Sequence, residues 1–336
     1  MTTYAAWWNF TVGHCISLRQ RCVRFAQRPA VRTALHLTIG AIFLWLFLRQ
    51  VNLGHAISAV AGAAILPLVM ALVAYAVDFL LRALRFWMLL QQASAQRLPW
   101  RAVPGPFIAS FGISDLLPLR AGDVFRLLWF QRQMGLRPSI VLGSMMIERF
   151  LDLFALLILA IAILGWHLGD AWMLCLGLLA LLGAGAGALI FIGAILSGRA
   201  DGMRWKWLAG LVAALGCFHS LRSPRLLLNL TGISLVCWLL EAVVILGAWV
   251  SLGGAIGQWV APMAAFIAST LGTLFPGLPG HFGTFELFGL EAFSRVGVAP
   301  DFAAAVLLLA HMLLWAPTAL FAILWLMLNR SGKAAK

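Results

Sequence analysis

Charge is what this chain has least of. Only 10% of its 336 residues are Asp, Glu, Lys or Arg, against 63% hydrophobic residues and 15 Trp. A water-soluble protein of this length cannot hide so much apolar surface, so the composition excludes a soluble enzyme and implies a polytopic membrane protein. Acidic residues are scarcer still, 11 against 24 basic ones. The surplus of positive charge is distributed as a topology signal, not as a nucleic-acid footprint. Catalytic signatures are also missing: there is no Walker loop, no aspartate-rich prenyl-diphosphate motif, no H-E-x-x-H and no nucleophile elbow. The five cysteines (15, 22, 175, 217, 237) lack metal-ligand spacing and read as packing residues; no metal and no cofactor is implied. No cleavable signal peptide is expected, because no apolar core precedes Arg19, Arg21, Arg24 and Arg28.

What is present is a set of long apolar runs. Residues 1–32, with Trp7, Trp8, Phe10 and five arginines, read as a basic interfacial segment on the cytoplasmic face, and 329–336 as a basic cytoplasmic tail. Between them, 33–328 form one transmembrane domain. Full spans are expected at about 33–48, 61–81, 140–164, 171–196, 228–252 and 302–328, with an interfacial helix within 207–218.

Two further apolar pieces are too short to cross. Residues 103–117 reach roughly 22 Å as helix against a hydrocarbon core of roughly 30 Å. They are flanked on both sides by arginines: Arg82, Arg85, Arg97 and Arg101 before, Arg120, Arg126, Arg132 and Arg137 after. The second piece runs from Trp259 to Phe275, breaks in PGLPGHFGTFE (276–286) and resumes to Phe293. Pro276, Gly277, Pro279, Gly280 and Gly283 cannot continue a helix in lipid, where opened backbone must be met by protein or by a water-filled cavity. Read as re-entrant hairpins, both pieces leave nearly all of the 24 basic residues on the cytoplasmic side, with Arg49 and Arg295 outside and Arg149 within the membrane. Both termini are then cytoplasmic.

The hairpins share the string FIAS, at 107–110 and 266–269. Each continues to a proline (Pro118, Pro276), a glycine (Gly122, Gly283) and a charged residue (Arg126, Glu286). Units of about 61–165 and 228–328, each a span, a hairpin and a span, would run in opposite senses. Inverted repeats with broken helices meeting near the midplane are a transporter signature. The expected fold is therefore all-α and polytopic, with about six full spans and two re-entrant broken-helix hairpins in an inverted-topology repeat.

Three motifs in order, LLPLRAGDVFR (116–126), ERFLDL (148–153) and PGLPGHFGTFE, resemble the lysylphosphatidylglycerol synthase transmembrane-region family, also called flippase-like membrane proteins. The similarity covers roughly 33–328. It implies a lipid-translocation domain of a bacterial inner membrane. Two-domain members carry a cytosolic aminoacyl transferase; no such domain is visible in this chain, so the synthase activity does not follow. Stand-alone proteins of hopanoid gene clusters have this size. His281 departs from the small or apolar residue expected between the glycines.

The candidate residues each have two readings. Glu148 and Asp152 share a helix face beside Arg149; they form either an arginine-neutralised structural network or part of a headgroup path. Asp123 is an N-cap for a helix from Val124 or, with Arg120 and Arg126, belongs to a phosphate-binding mouth. Glu286 compensates a helix dipole or pairs with a basic group. His281 titrates near neutral pH or makes a local hydrogen bond. Glu241 pairs inside the bundle, Asp78 bonds Arg82 four residues on, and His311 is an interhelical donor. The function expected is lipid translocation, a phosphate-bearing headgroup passing along a polar seam between the hairpins. The alternatives are a membrane enzyme using Glu148 and Asp152 as acid–base groups on a lipid phosphate, or a non-transporting partner of lipid-synthesis enzymes.

Overall fold

The computed structural model describes residues 29–94, 96–165, 171–196 and 206–331, so residues 1–28 of the expected N-terminal interfacial segment, most of the tail, Cys15 and Cys22 lie outside the described residues. The chain is an all-α membrane protein. Twelve α-helices run through the described residues: α1 (Pro29–Leu48), α2 (Leu53–Ala61), α3 (Ile65–Ala93), α4 (Pro104–Leu116), α5 (Ala121–Met134), α6 (Pro138–Leu164), α7 (Ala171–Leu196), α8 (Lys206–Gly216), α9 (Pro224–Ser251), α10 (Val260–Gly272), α11 (Thr284–Arg295) and α12 (Pro300–Ser331). Four of them (α3, α7, α9 and α12) are long and apolar enough to cross a membrane. A fifth span is possible if α1 and α2, bent by 79° at their junction, count as one. Helix α6 has the length of a span, about 40 Å at the usual rise, but carries Glu148, Arg149 and Asp152 in its middle.

Helices α3 and α9 form the most extensive pair, and Gly247 makes it possible: a Cβ there would meet Ala71 and the carbonyl of Pro67. Helix α7 is the opposite case, with only 6% of its apolar window buried inside the protein. Such a surface, like the exposed Leu80, Phe191, Leu228 and Leu328, is tolerable against hydrocarbon and not against water.

The two short apolar pieces are helical hairpins. Arms α4 and α5 hold 13 and 14 residues, arms α10 and α11 hold 13 and 12. Each arm reaches roughly 20 Å, short of the roughly 30 Å core. The arms of each hairpin meet at a serine of the shared FIAS string. Ser110 Oγ accepts from Arg126 Nε (2.9 Å), and Ser269 Oγ donates to the Phe285 carbonyl (2.8 Å), each partner sixteen residues on. Gly122 lets α5 lie against the Ser110 carbonyl, and Gly289 lets α11 lie against the Ser269 hydroxyl.

Three sequence expectations change here. Helix α3 continues three turns past Leu81, so Arg82 and Arg85 are not flank charges; they are 6% and 1% exposed inside it. Arg126, also counted with a cytoplasmic flank, lies in α5 at 2% exposure. In each case a carboxylate on another helix supplies the compensation that solvent would give. Asp123 is not the N-cap of α5: the helix begins at Ala121, after Arg120 in the left-handed region (φ 53°), and Asp123 sits in its first turn. Arg97, Arg101, Arg132 and Arg137 remain exposed at helix ends.

Candidate functional site

The polar interior grows from one stripe of α3. Asp78, Arg82 and Arg85 follow one another at four and three residues, so they share a face toward α9 and α6. Arg82 Nε donates to both oxygens of Asp78 (2.8 Å each), and its NH2 donates to Glu241 Oε2 of α9. Its guanidinium also lies 5.0 Å from the Trp238 ring centre. One arginine thus serves two carboxylates, and Glu241 Oε1 has no hydrogen-bond partner among the described residues. A turn further on, Arg85 donates to Asp152 (2.6 Å) and to Ser234 (2.6 Å) and lies 3.6 Å from Glu148.

Arg126 reaches the same cluster from the first hairpin. Its NH1 donates to Glu148 Oε2 (2.8 Å), and its guanidinium sits 4.4, 4.8 and 5.2 Å from the ring centres of Phe107, Phe111 and Phe86. That is the combination a buried guanidinium needs: a carboxylate, a hydroxyl and aromatic faces. Glu148 and Asp152 are therefore engaged by Arg126 and Arg85, while Arg149, proposed beside them as a partner, points away. Its side chain is 49% exposed and lies 3.5 Å from Asp123. Glu148 and Asp152 have no place on the cavity wall described next, which leaves the acid–base role without an open face.

The second hairpin is held differently. Its chain leaves α10 after Gly272 and makes a short 3-10 turn at Pro279–His281 before α11. Gly280 (φ 69°), His281 (φ 62°) and Gly283 (φ 90°) are all left-handed, a region that costs a non-glycine residue strain. Glu286 caps α11 by accepting from the Gly283 N–H (2.7 Å), and its other oxygen meets His311 Nδ1 of α12 (2.5 Å). His311 Nε2 meets the Gly280 carbonyl (2.7 Å). Helix α1 closes the outside: a Cβ on Gly40 would strike the backbone of Gly277 and Leu278. The local hydrogen bonds of His281 are made by its backbone, which donates to the Leu278 carbonyl and accepts from Thr284 Oγ1, while its ring Nδ1 is buried without a partner among the described residues.

The first tip is shorter and barer. Asp115, near the end of α4, accepts from Thr318 of α12 through Oδ2 (2.7 Å), and its carbonyl accepts from Trp315 Nε1 (3.3 Å). Beyond it, Leu119 (φ 60°) and Arg120 (φ 53°) turn the chain with two consecutive left-handed residues, neither of them glycine. Arg120 has no ion pair among the described residues.

Both tips border one cavity of about 210 Å³. The first hairpin contributes Asp115, Arg120, Asp123 and Arg126, the second Gly280 and His281, and Arg149 joins them from α6. Arg82, Glu241 and His311 complete its polar wall, with Tyr75 and Trp238 among the aromatics. Of the sequence candidates, Arg120, Asp123, Arg126, Arg149, Glu241, His281 and Gly280 thus share one space; Glu148, Asp152 and Glu286 stand behind it as partners of its walls. Asp115 and Arg82 were missed as cavity residues. The sequence signal for Asp115 was a carboxylate three residues before Pro118; for Arg82 it was the i, i+4 pair with Asp78 in a largely apolar helix. Trp238 Nε1, like His281 Nδ1, is buried without a partner at this wall. Among the described residues no group of His, Cys, Asp and Glu has the makings of a metal site.

A family model described as the lysylphosphatidylglycerol synthase TM region matches residues 33–322. No curated protein matches the chain.

Proposed function

The chain belongs to the lysylphosphatidylglycerol synthase TM region family, and from that membership and the cavity together we propose that it moves a lipid across a bacterial inner membrane. In this reading the headgroup passes through the space between the two hairpin tips while the lipid tails stay in hydrocarbon. The observation that carries it is the convergence of two broken hairpins on one charged, half-open cavity of an apolar helix bundle. Irregular backbone and ionisable side chains at such a place are costly and are kept where they line a path.

The cavity's residues divide the work. Arg120 is an unpaired guanidinium at a strained tip, suited to an anionic phosphate. Arg149 and Asp123, only loosely paired at 3.5 Å, sit beside it and can exchange partners with an arriving headgroup. Glu241 and Asp115 offer acceptor oxygens on the other wall. Arg126, Arg85, Glu148 and Asp152 hold the wall rigid. The inverted relation of the two span–hairpin–span units, with both termini cytoplasmic, is part of the same proposal, supported by the shared FIAS serines and by exposed arginines at 97, 101, 132 and 137. Lipids are the expected partners, together with enzymes that make them.

The test is reconstitution into liposomes containing headgroup-labelled phospholipids. The expected result is a change in the fraction of label accessible from outside, with no change in lipid mass. A mass change would instead identify an enzyme, and neither change across a panel of lipids would leave a partner of lipid synthesis.

A further inference from the structure

Each ring nitrogen of His311 faces an acceptor. On one side is the Gly280 carbonyl, 2.7 Å from Nε2, which can only accept. On the other is Glu286 Oε1, 2.5 Å from Nδ1, while Oε2 of the same carboxyl already accepts from the Gly283 N–H. A neutral imidazole has one N–H and cannot satisfy both neighbours if Glu286 is ionised. Both contacts are made only if the pair holds one further proton, as imidazolium with carboxylate or as imidazole with carboxylic acid. The surroundings favour a pair of zero net charge: Glu286 and His311 are 0% and 4% exposed, and the ring lies 4.5 and 4.6 Å from the centres of Phe282 and Phe285.

We infer that a bound proton shared by His311 and Glu286 latches the tip of the second hairpin, and that release of this proton frees the tip. The latch stands on its own geometry; its use in lipid passage rests on the transport reading above. Gly280 and Gly283, the two backbone groups it ties down, frame the left-handed turn at His281. When the proton leaves to water in the cavity, which His311 lines, the pair is left with one negative charge. Either a ring lone pair then opposes the Glu286 carboxylate, or it opposes the Gly280 carbonyl. One of the two ties to the tip is lost in either case. The other charged and titratable groups on the same cavity wall are Asp115, Arg120, Asp123 and Arg126 from the first hairpin, His281 from the break itself, Arg149 of α6, Glu241 of α9, and Tyr75 and Arg82 of α3.

Glu286→Gln separates the proton from the fold. The amide oxygen accepts from Gly283, the amide nitrogen donates to Nδ1, and a neutral imidazole donates from Nε2 to Gly280, so all three bonds survive without the extra proton. Hydrogen exchange of backbone amides 276–286 in the detergent-solubilised protein is the readout. The wild type is expected to lose protection as pH rises, by about tenfold relative to Glu286→Gln at the same pH, the equivalent of one charge-assisted hydrogen bond. Equal pH dependence in the two proteins overturns the latch. If Glu286→Gln does not fold, nitrogen-15 NMR of labelled histidine with infrared spectroscopy of the wild type decides. A doubly protonated His311 or a protonated Glu286 supports the latch; a singly protonated ring beside an ionised carboxylate overturns it. Transport of labelled phosphatidylglycerol in liposomes is a separate arm. Slowed passage in Glu286→Gln ties the latch to transport. Exchange as expected with passage unchanged overturns that coupling alone, and absence of passage in the wild type rejects the transport reading while leaving the latch intact.

Discussion

The two hairpins use one backbone device for opposite chemistry. Each is a pair of helices too short to cross, joined at an FIAS serine and turned by left-handed residues. The first spends its charged return-arm residue, Arg126, on an ion pair with α6 and leaves Arg120 bare at its tip. The second spends Glu286 on its own cap and on His311 of α12, and its tip is clasped by α1. The first tip therefore presents charge to the cavity, and the second is a fastened wall. A shared scaffold does not imply a shared role; the partners reached by the return arm decide it.

Arg126→Ala is the heaviest blow to this comparison. It strips Glu148 of its closer guanidinium inside the bundle and is expected to cost about 3–5 kcal/mol, enough to lose most folded protein. Adding Glu148→Ala should recover part of that loss, as measured by thermal unfolding of the single and double variants in detergent. If the double variant were as unstable as the sum of the singles, the pair would not be the coupling between hairpin and α6.

Closing the arms tests the other common feature. A Cβ at Gly122 would overlap the Ser110 carbonyl, and one at Gly289 would overlap the Ser269 hydroxyl and Leu307. Gly122→Ala and Gly289→Ala should each cost about 1–3 kcal/mol through overpacking. Gly122 faces backbone and Gly289 meets only side-chain atoms that can move, so Gly122→Ala should be the worse of the two. The reverse order in chemical or thermal unfolding would mean the hairpins are not closed by the same contact.

Arg120→Gly should have the smallest effect on stability and the opposite sign. Relief of a left-handed non-glycine residue is worth about 1 kcal/mol, and no ion pair is lost. A drop in unfolding temperature would show that Arg120 is fastened like the second tip.

The hairpins were legible in the sequence because Gly and Pro announce broken backbone in any apolar run, and the repeated FIAS marked them as a pair. Length and hydropathy suggested six spans; among the described residues four helices, or five if the bent α1–α2 pair counts as one, are long and apolar enough, and α6 carries three charged residues in its middle. The charged interior was legible only in part. Asp78 with Arg82 is a local, four-residue signal, but the engagement of Arg85 and Arg126 by Glu148 and Asp152 depends on packing between α3, α5 and α6 that no spacing reveals. An arginine near a predicted span end looks like a cytoplasmic flank until the helix continues past it, as α3 does through Arg82 and Arg85. Asp115 was hidden for the same reason, since its partner Thr318 lies on the last helix.

In the transport reading proposed above, a headgroup passes between the tips and meets Arg120, which has no ion pair among the described residues. The most direct measurement compares wild type and Arg120→Gly in liposomes containing headgroup-labelled phosphatidylglycerol, following label accessibility over time at matched protein content. The account predicts passage with the wild type and about tenfold slower passage with the variant, the scale of one charge-assisted contact to phosphate. Equal rates in the two proteins, with both folded, would contradict it.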